Sequence, residues 1–450
     1  MAEVIEFVDE GLGHSSYLVD IGDGRALVVD PPRFPDRHVA AADARGLTIA
    51  FTADTHSHAD YVSGSPELAA RGASFLASKG AHLMVGHRAL VSDEEVELGA
   101  GVVMRAIATP GHTPDHLAYL VSRSGAPVAL FSGGSLMVGT VGRTDLLGPQ
   151  SQVPLARQLY RSLRDSILTL PDELAVYPTH GAGSFCSAPG ANDRTTTIGR
   201  ERATNPMLAV HSEDEFVARL VAGFGSFPPY FARLPEVNRR GPKVYGHAPA
   251  LARIQSDDFR RWMDNGAVVV DVRGISDFAG GHIPGALSIA LRPVFASWLG
   301  WLVEPDRPLL FVLDDGQDRA ELVRQCLAVG YERLTGELSG GMAAWRAGGQ
   351  RESHLELLEP QDVATPIVDV RQREELVTGY VPESLHVELG ALRDADLELP
   401  AGPLTMMCGH GERAMTAASL LRARGRGDVA VLAGGPGDWS VATGRALEQA

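Results

Sequence analysis

Cysteine is scarce in this 450-residue chain. Three thiols, Cys186, Cys326 and Cys408, cannot make a disulfide framework, so each is either packed or chemically employed. No apolar run is long enough to span a bilayer as a helix. Basic residues are also in deficit, 40 Lys and Arg against 56 Asp and Glu. The net charge of −16 works against phosphate backbones and anionic membranes, which need cations to displace counterions, so neither nucleic acid nor membrane is an expected partner. The opening MAEVIEFVDEG lacks a basic segment followed by an apolar one, and the expectation is a cytoplasmic enzyme. What is present is an apolar content of 44% and a charged content of 21%, the globular range, at a length that implies several domains.

Up to about residue 245, short apolar runs are broken by Gly and Pro. "SSYLVDIGDGRALVVDPP" predicts a hairpin with strands at 16–21 and 25–30, joined through Gly-Asp-Gly at 22–24. "TIAFTADTHSHADY" predicts a strand ending in a histidine-rich loop, and "PVALFSGGSLMVG" one ending in a glycine-rich loop. "SFPPYFARLPEVNRRGPKVYGHAPAL" is dense in Pro and Gly without helical periodicity, which predicts a domain boundary near 225–252. Beyond it the chain echoes itself: "VVVDVRGISDFAGGHIPGALSIAL" in "PIVDVRQREELVTGYVPESLHVEL", and "LSGGMAAWRAGG" in "LAGGPGDWSVATG". Two similar α/β domains of about 100 residues are expected, 250–352 and 355–450, after a first domain at 1–245.

"THSHADY" (55–61) places imidazoles and a carboxylate on alternate residues of an extended loop, from where they can converge on one or two metal ions. "TPGHTPDH" (109–116), "FSGGSL" (131–136), "VGRTDL" (141–146) and "YPTHGAGS" (177–184) belong with it. Together these stretches resemble the metallo-β-lactamase fold, and more narrowly its persulfide dioxygenase and glyoxalase-II-like branch. "TTTIGRERATNPML" (195–208) also resembles the dioxygenase branch. The resemblance implies an αββα sandwich, with ligands His56, His58 and His112 for one metal site and Asp60 and His180 for the other. Two positions depart from the pattern: Tyr61 stands where a histidine is expected, and Gly134 where a bridging aspartate is. The dioxygenase branch implies a single iron on two histidines and a carboxylate, here His56, His112 and position 134, and glycine donates nothing. His56, His58 and His112 alone make a three-histidine set of the kind that holds zinc with an open fourth position. Iron, zinc, or no metal in a closed pocket of mutually hydrogen-bonded histidines and Tyr61 are the alternatives. The resemblance also makes Asp145 a carboxylate that orients a ligand imidazole; Cys186 is expected to be packed.

Each repeat reads as a strand into Asp-Val-Arg, a "GHIPGA" or "GYVPES" turn, a strand, a loop, a helix and a closing Gly-Gly-x-x-x-Trp. This resembles the rhodanese fold, a doubly wound parallel sheet. In the second repeat "PLTMM" runs into Cys408, Gly409, His410, Gly411, Glu412 and Arg413 before a helix. Such a loop can curl its N–H groups around the sulfur with a helix N-terminus behind, and so stabilise an anionic persulfide. Cys408 is the expected nucleophile. Arg413 either binds an anionic donor or pairs with a structural carboxylate, and His410 and Glu412 are candidate substrate-shaping residues. In the first repeat, "LLFVLDDGQDRAELV", Arg319 aligns with Arg413 and Asp314 stands where the cysteine should be, so this copy is expected to be silent. Cys326 lies on the apolar side of the next helix, as core.

The expected enzyme is a sulfurtransferase of persulfides and thiosulfate, with small thiols as partners, coupled to a dioxygenase-like domain with a degenerate metal site. A zinc-dependent thioester hydrolase of the glyoxalase II type and a non-catalytic sulfur-binding protein are the alternatives. Oligomeric state is open, a homo-oligomer included.

Overall fold

The run ending at Gly22 and the run starting at Arg25 pair antiparallel as strands His14–Gly22 and Arg25–Val29. Asp23 and Gly24 between them have φ of 54° and 69°, the two-residue turn whose twist suits a hairpin. The computed structural model describes residues 3–186, 193–394 and 397–449. In it the hairpin grows into a six-stranded sheet running in chain order from Val4–Asp9 to Arg88–Leu90. A second six-stranded sheet carries, among others, Val102–Ala108, Leu117–Arg123, Ala126–Gly133 and Ala175–Pro178. The inward residues of both sheets share one core, in which Tyr17, Leu27 and Leu76 meet Met104, Tyr119 and Phe131. Each fully buried side chain of this size contributes about 1.5–3 kcal/mol relative to exposure. On the outer faces, Leu159 and Leu163 of the helix Pro149–Asp165 pack with Leu120 and Leu130. Ala42 and Leu68, from the helices Asp36–Asp43 and Ser65–Ala70, pack with Leu18 and Val28. This is the αββα sandwich expected from the sequence, because strands that alternate their side chains need a helical layer on each outer apolar face.

The segment at 225–252 is less irregular than expected. It holds the helix Leu234–Arg240, too short for its period to show in a Pro- and Gly-rich sequence. The structure forms two compact units: Met1–Ala248 with Cys326–Gly330, and Pro249–Gln325 with Tyr331–Ala450. No helix among the described residues is long and apolar enough to cross a membrane.

The second unit contains both repeats, each a five-stranded parallel sheet of the same order. In the first the strands lie as Arg253–Ile254, Leu334–Leu338, Leu309–Val312, Val268–Asp271, Leu287–Ser288. In the second they lie as Glu356–Leu358, Val429–Leu432, Leu404–Met407, Ile367–Asp369, Leu385–His386. The echoed Asp-Val-Arg has a structural origin. Arg273 binds the buried Asp271 (2.7 and 2.9 Å) and the Gly281 carbonyl (2.9 Å), and Arg371 binds Asp369 and the Gly379 carbonyl (2.9 Å) in the same way. The motif ties the fourth strand of each sheet to the turn that follows it.

Candidate functional sites

The loop that leaves the strand Thr48–Ala53 is organised by Asp30, which closes the preceding apolar strand and is fully buried. Its carboxylate accepts from Thr55 N (2.7 Å), Thr55 Oγ1 (2.8 Å) and Thr179 Oγ1, and lies 3.1 Å from His58 Nε2. Tyr61 OH donates to the Asp30 carbonyl (3.1 Å) and sits 3.0 Å from the same His58 nitrogen. Burial disfavours charge on both partners, yet their attraction prevails: His58 is pushed up to about 8 and Asp30 is held below the usual carboxylate range. His58 Nε2 is therefore spent on an ion pair. Its Nδ1 is buried without a hydrogen-bond partner and so keeps a ligand atom free. Asn238, from the short helix of the boundary segment, locks the loop by donating to the carbonyls of His58 (2.8 Å) and Tyr61 (3.0 Å).

A Cβ on Gly134 would lie 2.3 Å from His112 Cδ2, so the His112 imidazole fills the place where a side chain at 134 would begin. Gly134 N donates to His116 Nε2 (2.9 Å), and His116 Nδ1 lies 2.7 Å from Thr109 Oγ1. His112 Nδ1 donates to the Arg143 carbonyl (2.8 Å). Asp145 does not orient an imidazole directly. Its carboxylate pairs with the Arg143 guanidinium (2.7 and 2.9 Å), and the Arg143 main chain holds His112. Asp30, His116, Arg143 and Asn238 were all missed in the sequence. Only Asp30 carried a signal there, as a charged residue closing an apolar strand.

The ring tautomers follow from these bonds. Thr55 Oγ1 gives its proton to Asp30, so it accepts from His56 Nδ1 (2.9 Å) and leaves His56 Nε2 bare. His112 Nδ1 is likewise occupied, and its buried Nε2 has no hydrogen-bond partner. Burial, and then neighbouring imidazoles, hold both rings well below the ordinary histidine range, so both are neutral and able to ligate. His180 Nε2 lies 3.3 Å from His56 Nε2, and His180 Nδ1 lies 3.3 Å from Asp60 Oδ2 without hydrogen-bond geometry. Burial raises Asp60, but His180 and then His58 outweigh it and keep the carboxylate ionised.

Among the described residues, three groups have donor atoms within 4.8 Å of one another: His56, His58 and His180; His112, His180 and Cys186; Asp30, Asp54 and His58. The iron triad of two histidines and one carboxylate does not fit, since position 134 offers no donor and the His112 ring covers it. The imidazole-rich groups retain the chemistry of a metal site. A cavity of only about 10 Å³ adjoins His56 and His58, walled by Asp54, Ser57 and Asp115.

In the second unit, the strand Leu404–Met407 delivers Cys408 to its C-terminal end, where Gly411 N donates to Sγ (3.1 Å). Gly411 has φ of 92°, which L side chains avoid, and it leads into the helix Glu412–Ala423, whose positive end favours anionic sulfur. A Cβ on Gly435 would lie 2.2 Å from the Gly409 carbonyl, which explains the Gly-Gly of the closing motif as a close backbone approach. Of the two roles open to Arg413, the structure gives pairing: its Nη2 binds Glu375 Oε1 at 2.7 Å, and against burial this contact holds Glu375 below its usual range. His410 is exposed and Glu412 half-buried. The first repeat reaches this loop as well. Arg413 lies 5.9 Å from the Trp298 ring, Glu412 lies 3.7 Å from Arg292, and Ile275 abuts Gly411.

The first repeat aligns differently than expected. Val312 pairs with Asp271 as Met407 pairs with Asp369, so Leu313, not Asp314, follows the strand where Cys408 does. Asp314 sits one position later, in a loop longer by one residue. Arg319 caps that loop, donating to the carbonyls of Asp314 (2.8 Å) and Gln317 (2.7 Å) and pairing with Glu337 (3.0 Å). Cys326 is buried, and burial pushes its thiol up, as befits core.

The rhodanese-like domain family matches residues 255–348 and 351–442. The N-terminal part is 27% identical over 216 residues to the mitochondrial persulfide dioxygenase ETHE1 of Homo sapiens, covering 45% of this chain and 74% of that protein. It is 35% identical over 167 residues to a hydroxyacylglutathione hydrolase of Rhodospirillum rubrum, covering 36% and 60%. A crystal structure of a metallo-β-lactamase from Staphylococcus aureus superposes with a TM-score of 0.64 at 27% identity, covering 75% of this chain and 98% of that one. The chain is an ETHE1-like region of metallo-β-lactamase fold followed by two rhodanese-like domains.

Proposed function

We propose that the chain acts in sulfane-sulfur metabolism, with Cys408 carrying the transferred sulfur. The observation that supports this most is the Cys408 Sγ held at a strand end by the Gly411 N–H, in front of a helix N-terminus. In the first step the Cys408 thiolate attacks the outer sulfur of thiosulfate. A Cys–S–S bond forms, the S–S bond of thiosulfate breaks, and sulfite leaves with the electron pair. In the second step a thiolate or cyanide takes the outer sulfur from Cys408–S–S⁻ and the thiolate is restored. Gly411 N–H and the helix dipole stabilise the anion in both steps. Arg413 offsets the Glu375 charge, which would otherwise repel an anionic donor. The first repeat is read as silent, since neither Leu313 nor Asp314 can carry a persulfide. It supplies Trp298 and Ile275 around the loop.

The N-terminal region is read as binding a thiol or persulfide, on the strength of its similarity to a persulfide dioxygenase. No oxygenation step is assigned, because the iron triad does not fit. Fusion of the two functions raises the effective concentration of a shared persulfide. A second reading, a zinc thioester hydrolase, draws on the hydroxyacylglutathione hydrolase similarity, but position 134 offers it no bridging carboxylate. Thiocyanate formation from thiosulfate and cyanide, in the wild type against Cys408→Ser, tests the proposal. Turnover lost in the variant is expected; unchanged turnover rejects the assignment.

A further inference from the structure

Beside the position that lost its carboxylate stands a thiol that the ligand pattern does not contain. Cys186 is fully buried, and its sulfur belongs to a group with His112 and His180 whose donor atoms lie within 4.8 Å of one another. The segment carrying it is fixed. Arg143 N donates to the Cys186 carbonyl (3.3 Å), Arg143 Nη1 to the Phe185 carbonyl (2.6 Å), and Cys186 N to Ser184 Oγ (3.1 Å). A Cβ on Gly13 would lie 2.1 Å from Ser184 N, so another backbone is pressed against the same turn. Arg143 also holds His112 through its carbonyl, and the thiol and the imidazole are thus positioned by a single residue.

The polar atoms here are poorly satisfied, and His180 Nδ1 faces Asp60 Oδ2 at 3.3 Å as an ion pair without hydrogen-bond geometry. His112 Nε2, His180 Nδ1 and both Asp60 oxygens are buried without a hydrogen bond, although a buried polar atom left unpaired costs about 1–3 kcal/mol. A cluster of bare nitrogens, a carboxylate and a soft sulfur satisfies itself by holding a cation. We infer that this domain holds a soft or borderline divalent ion, of the zinc or cobalt class, on His112, His180 and Cys186, with Asp60 beside it, the cysteine replacing the carboxylate that Gly134 cannot give. Thiolate sulfur with imidazole selects such ions over the harder ones that oxygen ligands prefer. On ligation the thiol releases its proton to solvent; without the ion, burial and then Asp60 keep it protonated.

The test uses the full chain in a Cys408→Ser background, so that Cys186 and Cys326 are the remaining thiols, stripped with a chelator and titrated with cobalt(II). Expected are one bound cobalt per chain and a thiolate-to-cobalt charge-transfer absorption. Cys186→Ser abolishes the absorption and weakens binding more than roughly 100-fold, the upper end for loss of an outer partner. Far-UV circular dichroism checks that the variant folds. The spectrum of the Cys408→Ser protein itself decides even if it does not: cobalt bound without a thiolate band, or no cobalt bound, overturns the inference, as does a band that survives in a folded Cys186→Ser protein. Sulfurtransfer at Cys408 does not enter this readout, so the two proposals fail separately.

Discussion

Placing the missing carboxylate at Gly134 is the sharpest mechanical perturbation the first domain offers. Gly134 has no unusual φ, so an aspartate there meets no backbone strain; the obstacle is steric. Its Cβ would lie 2.3 Å from Cδ2, 2.7 Å from Cγ and 2.9 Å from Nε2 of His112, and the ring must swing away. Overpacking of this kind costs about 1–3 kcal/mol. The swing also breaks the His112 Nδ1 bond to the Arg143 carbonyl, worth about 1 kcal/mol. Gly134→Asp should therefore destabilise the metal-free domain by about 2–4 kcal/mol, and Gly134→Ala by nearly as much, because the first carbon makes the clash. All five tryptophans lie beyond residue 248, so far-UV circular dichroism reports the whole chain while tryptophan fluorescence reports the second unit alone. With m of about 2–3 kcal/mol/M, urea unfolding in chelator should show the dichroism midpoint falling by roughly 1 M and the fluorescence midpoint unmoved. An unchanged dichroism midpoint in Gly134→Asp would mean that the His112 ring is not fixed where the structure places it.

His38 is buried, with Nε2 2.9 Å from Ser16 Oγ, and burial lowers it to about 3 from an unfolded value of 6.5. The unfolded state thus binds the extra proton between these values, so stability present above pH 6.5 is lost as pH falls, at up to about 1.4 kcal/mol per unit. His38→Gln should flatten the stability profile of the first unit between pH 6 and 5 by about 1 kcal/mol, read by urea unfolding; an equally steep profile refutes it. At the sulfur loop, Arg413→Ala leaves Glu375 unbalanced and should raise the KM for thiosulfate roughly tenfold, while Arg413→Ala combined with Glu375→Gln recovers most of it. If the double variant is as impaired as the single one, Arg413 acts by another route than balancing Glu375.

How far the sequence carried the fold depended on whether the signal was local. The hairpin was legible because Asp23 and Gly24 do what Asp-Gly does in a two-residue turn, and the repeats were legible because the Asp-Val-Arg clamp recurs in both. The helix at Leu234–Arg240 was hidden by its length, and with it Asn238, which locks a loop 177 residues away in sequence. Spacing put His58 with His56 and His112, but not with its Nε2 partner Asp30, 28 positions earlier, which no spacing rule connects to it. Asp314 was placed one residue off because the loop following Val312 is longer by one, and only the strand register shows which end gained it. Glycine at 134 was legible as a lost ligand; that an imidazole occupies the space was not, since it requires the path of the chain.

The central claim, that Cys408 carries the sulfur, is tested most directly by mass spectrometry of the full chain after incubation with thiosulfate and removal of the excess. The account predicts a gain of one sulfur atom on the peptide containing Cys408, reversed by cyanide and absent in Cys408→Ser, with the peptides of Cys186 and Cys326 unmodified. A sulfur found on another cysteine, or on none while thiocyanate still forms, would contradict it.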